Sequence, residues 1–175
     1  IEWSAFTECP ALSSILTYGN LGYIAGFDKC PALTSITIGG DLGEISAYAF
    51  ENRKGTESLE FAVQGNVGTI GYGAFRESNI KTFSVDGNVE TISEEAFRGS
   101  SITTFGVNPG YEDSPTSIQS IETNAFSNTP ITIESIDSVI SATKNCDPLA
   151  FSNLLIDETV EGDRFDNLRY TGISS

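Results

Sequence analysis

Phenylalanine returns at residues 6, 27, 50, 75, 97, 126 and 151, at intervals of 21, 23, 25, 22, 29 and 25 residues. Six of these rings follow an alanine directly: Ala5, Ala49, Ala74, Ala96, Ala125 and Ala150. The remaining one stands a glycine away, in Ala25-Gly26-Phe27. A period of about 20–29 residues is that of a solenoid, whose units are too small to bury their own apolar faces and must stack on neighbours. The words around the rings repeat too. Cys9-Pro10-Ala11-Leu12-Ser13-Ser14-Ile15 comes back 21 residues later as Cys30-Pro31-Ala32-Leu33-Thr34-Ser35-Ile36. A catalytic motif is rarely duplicated so close by, whereas a unit that stacks on its own copy is duplicated as a rule.

Within one unit the positions divide by physical role. Ile36 and Ile38 alternate with Ser35 and Thr37, which is strand spacing. Phe61/Val63, Phe83/Val85 and Phe105/Val107 echo them, so each unit opens with a short parallel strand. A corner follows at Gly19-Asn20, Gly40-Asp41, Gly65-Asn66 and Gly87-Asn88, where the residue types suggest left-handed backbone angles. A second extended piece places Leu21/Ile24, Leu42/Ile45, Val67/Ile70, Val89/Ile92 and Ile118/Ile121 inward. The polar stretch before Ala-Phe, as in Ser93-Glu94-Glu95-Ala96-Phe97, suits a short helical turn with Ser93 as N-cap. Phe then fills the centre of each of about seven coils. Cys9 and Cys30 follow Phe by three residues, in a slot that later holds Ser78, Ser100 and Thr129. Two readings stand: a ladder of small inward residues, or a disulfide between neighbouring coils, which stacked Cα atoms near ~5 Å would permit. Cys146 lies far along the axis and reads as a free, buried thiol.

Composition excludes several function classes. The 175 residues carry 24 acidic and 9 basic side chains, a net charge of −15. Phosphate neutralisation, and so nucleic-acid binding, is excluded, as is docking on an anionic membrane. The absence of histidine removes Ser–His and Cys–His nucleophile systems and most zinc sites. No apolar run approaches the ~18 residues that span a bilayer, so no membrane insertion is expected in this segment. No CxxC pair, calcium loop or N-glycosylation sequon occurs. No cofactor and no metal is expected, and the chain reads as a non-enzyme. With no methionine and a start that falls inside a repeat, it also reads as part of something longer.

The recurring pattern L-x-x-I-x-I … L-x-x-I-x-x-x-A-F resembles the BspA-like, Treponema-type leucine-rich repeats, over roughly residues 1–155. The family's usual corner is Ile-Pro, where this chain has Gly-Asn or Gly-Asp. The resemblance implies a β-rich α/β solenoid: a right-handed leucine-rich-repeat superhelix with a parallel sheet on one face. It further implies an extracellular or cell-surface binding protein, with protein partners in a host matrix, on another cell or within an assembly, and glycans as a further class. It supplies no catalytic residues.

Two places are candidate contact surfaces. The stretch Asn108–Ser117 lengthens one coil and reads as a protruding loop, in which Tyr111, flanked by Glu112 and Asp113, is a contact point. The outward strand positions Ser14, Leu16, Ser35, Thr37, Glu60, Ala62, Thr82, Ser84, Thr104 and Gly106 make a flat face of small hydroxyls, of which Ser35, Thr37, Thr82, Ser84 and Thr104 are the best partner contacts. Hydroxyls also simply suit exposed strand positions. Glu94-Glu95 and Asp157-Glu158 read better as helix starts and solvated turns than as glycosidase acids or calcium ligands. The insertion Glu51–Glu57, with Arg53-Lys54, reads as a solvated loop. Residues 1–153 form the solenoid, and 154–175 a cap or partial repeat in which Phe165, Leu168 and Tyr170 cover the open end. The expected function is a binding module, or alternatively a structural subunit docking through the sheet face or the solenoid ends.

Overall fold

The structure, a computed structural model, describes residues 6, 8–55, 57–107 and 117–155. In chain order the elements are β1 (Ser14–Thr17), β2 (Leu21–Ile24), β3 (Ser35–Ile38), β4 (Leu42–Ile45), β5 (Leu59–Val63) and β6 (Val67–Ile70). They continue with β7 (Ile80–Val85), β8 (Val89–Ile92), β9 (Thr104–Val107), β10 (Ile118–Ile121), α1 (Ile133–Ser141) and β11 (Thr143–Cys146). The odd strands β1-β3-β5-β7-β9 form one parallel sheet, and β2-β4-β6-β8-β10-β11 form a second. Each of the first five coils therefore contributes one strand to each sheet, the last contributes only β11 to the second, and the core runs between the sheets. The resemblance implied a sheet on one face; the second extended piece of each unit has enough backbone pairing to make another.

Register follows the repeat. Ile36 faces Phe61, which faces Phe83, which faces Phe105, all buried. The apolar pairs of the second sheet stack likewise, Leu42 on Val67 on Val89 on Ile118. The Ala-Phe rings form the expected spine. Phe6, Phe27, Phe50, Phe75, Phe97, Phe126 and Phe151 stack with centroids 5.2, 5.2, 4.9, 5.1, 5.0 and 5.1 Å apart. Phe61, Phe83 and Phe105 form a second stack, at 5.0 and 5.3 Å, that meets the first edge-on. Offset stacks joined by edge contacts satisfy both ring geometries that aromatic quadrupoles favour.

The approach to Ala-Phe differs from the expected helical turn. Ser93 does not cap a helix: Glu95 has φ +57° and Gly99 φ +64°, so the segment is a run of β-turns closed by Ala96 N–H to Ser93 O and Arg98 N–H to Glu95 O. The same left-handed pair brackets other rungs, at Tyr48 and Asn52, Gly73 and Glu77, and Asn124 and Asn128. The physical reason lies between coils. Alternate N–H groups point along the axis and pair with the next coil, as in Glu95 to Thr123 O, Phe97 to Ala125 O and Gly99 to Ser127 O. A helical turn would aim those donors at its own carbonyls and leave the stack unbonded.

The glycine corners also differ from expectation. None of Gly19, Gly40, Gly65 or Gly87 has positive φ. At Gly40, Gly65 and Gly87, though not at Gly19, close approach excludes a side chain: a Cβ on Gly65 would lie 2.5 Å from Asp41 Oδ1 and 2.7 Å from the Asp41 nitrogen. The room is taken by a side-chain ladder. Asp41 N–H donates to Asn20 Oδ1, Asn66 N–H to Asp41 Oδ1 and Asn88 N–H to Asn66 Oδ1, at 2.8, 2.8 and 2.9 Å.

Two features lay outside the sequence expectation. Helix α1 takes the place of a sixth strand in the first sheet. Thr132 N–H still bonds Thr103 O as a strand entry would, but Thr132 then caps the helix by accepting from Ser135 N–H at 3.3 Å. The helix packs Ile133, Ile136 and Val139 inward against the edge at β9. The second is Arg53, expected in a solvated loop. It is fully buried, in the slot of Cys30, Ser78, Ser100 and Thr129. Its guanidinium donates to Leu33 O and Asn79 Oδ1. The chain drops inward there because the slot lies under the stack, and two carbonyl-type acceptors replace water. The cysteines are free thiols; Cys146, expected to be buried, is only half-buried. The proposed cap, including Phe165, Leu168 and Tyr170, lies outside the described residues from residue 156 onward.

Candidate interaction surfaces

The outer face of the first sheet carries two rows in register. Ser14, Ser35, Glu60, Thr82 and Thr104 form one; Leu16, Thr37, Ala62, Ser84 and Gly106 form the other. Because side chains alternate across a strand, burying Ile36, Phe61, Phe83 and Phe105 forces these neighbours outward. The structure thus brings Ser35, Thr37, Thr82, Ser84 and Thr104 onto one surface. Ser84 and Thr104 are exposed; Ser35, Thr37 and Thr82 are half-buried between rungs. Leu16, 57% exposed, adds an apolar contact at the β1 end. Such a face can dock a complementary surface: its hydroxyls donate and accept hydrogen bonds, and the Glu60 carboxylate stands between Ser35 and Thr82 in one row. Tyr111, Glu112 and Asp113 lie outside the described residues, and only Ser117 of that loop is described, buried against the following coil.

A second cluster escaped the sequence reading. Arg76 lies between Glu51 of one coil and Glu95 of the next. Its Nε is 2.8 Å from Glu51 Oε1, its Nη1 is 2.9 Å from Glu95 Oε2, and its Nη2 also meets Glu51. Arg98 Nη1 reaches Glu95 Oε1 at 2.8 Å, and Tyr72 OH donates to Glu95 Oε2 at 3.3 Å. The Arg76 guanidinium sits 5.3 Å from the Tyr48 ring, which meets Tyr72 edge-on at 5.4 Å. The hydrogen bonds that Arg76 donates to Glu95 and Glu51 raise its pKa. Burial alone would raise the Glu95 carboxyl, but Arg76, Arg98 and Tyr72 outweigh it and hold the group below the usual carboxylate range. Glu95 is thus a locked structural anion, neither a helix-start residue nor a free acid. The signal was present in the repeat: Glu51, Arg76 and Arg98 all directly follow a spine Phe, so coil alignment would have placed opposite charges on adjacent rungs.

Glu94, Glu122 and Asp147 line a shallow open groove with Ile121 and Thr123. Glu122 Oε2 accepts from Glu94 N–H and Asp147 Oδ1 from Leu149 N–H, so both carboxylates already cap backbone. No group of acidic or sulfur side chains among the described residues has metal-binding geometry. Asp157 and Glu158 lie outside the described residues. No helix among the described residues is long and apolar enough to cross a membrane.

The model of the BspA type leucine rich repeat region matches residues 1–103 in six copies, more than half of the chain. The chain belongs to this family. Neither the curated proteins nor the solved structures yield a match. As a BspA-type leucine-rich repeat, it is a repeat-based module for protein–protein interaction, on a solenoid of a kind that is typically non-enzymatic. The matched copies end at residue 103, within the 29-residue interval between Phe97 and Phe126 and ahead of helix α1.

Proposed function

We propose that this BspA-type repeat is a non-enzymatic binding module of a cell-surface or secreted protein, mediating adhesion through the outer face of its first sheet. The observation that carries the reading is that face itself: a pair of registered rows of small side chains, flat enough for a protein surface to approach closely. Tyr111, Glu112 and Asp113 are proposed as further partner contacts. The net charge of −15 favours partners with basic patches, because charge complementarity sets encounter rate and specificity. The domain division at 153/154 belongs to this proposal.

Two lysines make the test face-specific. Lys81 lies in β7 of the first sheet and Lys144 in β11 of the second, and both are exposed. Cross-linking in the native setting, followed by mass spectrometry, is expected to join Lys81 to proteins of another cell or matrix. Thr82→Arg and Ser84→Arg should weaken that binding at least ~10-fold by blocking a flat contact, with Thr91→Arg on the other sheet as control. Cross-links through Lys144 alone would sink the assignment of the face.

A second reading, a subunit of a larger assembly, draws on the edge positions of β1 and β2, since edge strands offer backbone groups to an added strand. Cross-links confined to one stoichiometric set of proteins from the same cell would favour it over adhesion.

A further inference from the structure

We infer that Cys9 and Cys30 are the two halves of a reversible disulfide that ties the coil of Phe6 to the coil of Phe27. Both occupy the same slot, three residues past a spine ring. Both open the same local turn, Leu12 N–H bonding Cys9 O and Leu33 N–H bonding Cys30 O, each at 3.1 Å. The two coils are stacked, with the rings of Phe6 and Phe27 5.2 Å apart and Thr34 N–H bonded to Ser13 O. One coil step is a strand spacing, ~4.7–4.9 Å. That falls inside the ~4.4–6.8 Å Cα window of disulfides. The side chains point the right way: Cys30 is fully buried in the core, and Cys9 is half-buried and packed against it. The Cys30 thiol already reaches across the gap, donating to Phe6 O at 3.1 Å, and the Cys9 N–H is directed at its sulfur.

The next rung supplies a charge. Arg53 stands in the same slot one coil on, fully buried, with its Nε lacking a hydrogen-bond partner. Its acceptors are Leu33 O and Asn79 Oδ1, and both are neutral. Burial pushes the Cys30 thiol up, and Arg53 opposes that rise. A buried cation one rung away thus offsets part of that rise, although the Cys30 thiol stays above its ordinary value on balance.

The chemistry takes a small disulfide such as oxidised glutathione as the oxidant. The half-exposed Cys9, as thiolate, attacks one of its sulfurs; the S–S bond breaks and one glutathione thiolate leaves. Cys30 loses its proton to water and its thiolate attacks the Cys9 sulfur, releasing the second glutathione. Two protein thiols are oxidised by two electrons, and one glutathione disulfide becomes two thiols.

The test is to incubate the full chain with oxidised glutathione, alkylate, and map peptides by non-reducing mass spectrometry. The expected result is a Cys9–Cys30 cross-linked peptide that dithiothreitol reverses. Cys146 should be recovered alkylated rather than bridged, because burial and then Asp147 push its thiol up to about 11. The bridge closes a loop of 20 intervening residues, so oxidised protein should melt roughly 5–10 °C higher than reduced. Cys9→Ser, which leaves the core cysteine in place, should fold and show no such shift. A glutathione adduct that persists on Cys9, a bridge to Cys146, or no product in a folded chain would each overturn the inference.

Discussion

Phe75 shows what one residue carries in a stacked core. Its ring lies 4.9 Å from Phe50 and 5.1 Å from Phe97, with Phe61 and Phe83 edge-on at 5.8 and 5.7 Å. Phe75→Ala leaves a hole bounded by four rings that belong to its own coil and the two neighbouring coils and cannot collapse together. Loss of about 3–5 kcal/mol in denaturant unfolding is expected. Glu77 carries the opposite kind of effect. It is exposed with φ +53°, a conformation that disfavours a side chain with a Cβ but that asparagine tolerates. Asn52, Asn128 and Asn153 hold the same rung position in other coils. Glu77→Asn should therefore raise stability by up to about 1 kcal/mol, read as an upward shift in Tm. Asp41 is the charged rung of the corner ladder, accepting from the Asn66 backbone at 2.8 Å and the Asn66 amide at 3.1 Å. Asp41→Ala should cost about 1–3 kcal/mol by stranding those donors, while Asp41→Asn keeps an acceptor and should cost little.

At the scale of elements, the turn run and the helix behave differently. The turns are held from coil to coil by backbone bonds and, on one stretch, by the Arg76 network. Glu95 has a depressed folded pKa, so its contribution is complete above the unfolded value of about 4.3 and is lost as pH falls through the folded value. Stability of the wild type should therefore drop more than that of Glu95→Gln when pH is lowered from about 6 to about 3. Equal slopes in pH-dependent unfolding would show that the network contributes nothing. Helix α1 is held by its apolar face and its cap. Thr132→Ala should cost about 0.5–2 kcal/mol, and native-state hydrogen exchange should localise the loss to residues 133–141 and the edge at β9.

At the scale of the molecule, stability is a sum over coils and the interfaces between them, opposed by a net charge of −15. Like charges spread along a rod repel at distances that salt can screen. Raising ionic strength from about 0.01 M to about 0.15 M shortens the Debye length from about 30 to about 8 Å. Tm should rise over that interval, with Arg76–Glu95 and Arg76–Glu51, packed between turns, among the contacts least weakened.

The residues themselves determined the repeat length, the inward and outward faces of both strand sets, the phenylalanine spine and the placing of Ser35, Thr37, Thr82, Ser84 and Thr104 on one surface. Each follows from local spacing: a period of two along a strand and about 23 along the chain allows no other arrangement of Ile36, Phe61 and Phe83. The tertiary structure decided what depends on the neighbouring coil. Gly65 is small because Asp41 of the coil below needs the space, not because its own backbone bends. Glu95 and Tyr48 adopt left-handed angles because alternate donors must face the next turn. Arg53 enters the core because Leu33 and Asn79, on the coils either side, offer it oxygens. Thr132 begins as a strand and becomes a helix cap because Ile133, Ile136 and Val139 bury better across the β9 edge than along it. Such facts are properties of a rung and its two neighbours, and no single unit of the chain states them.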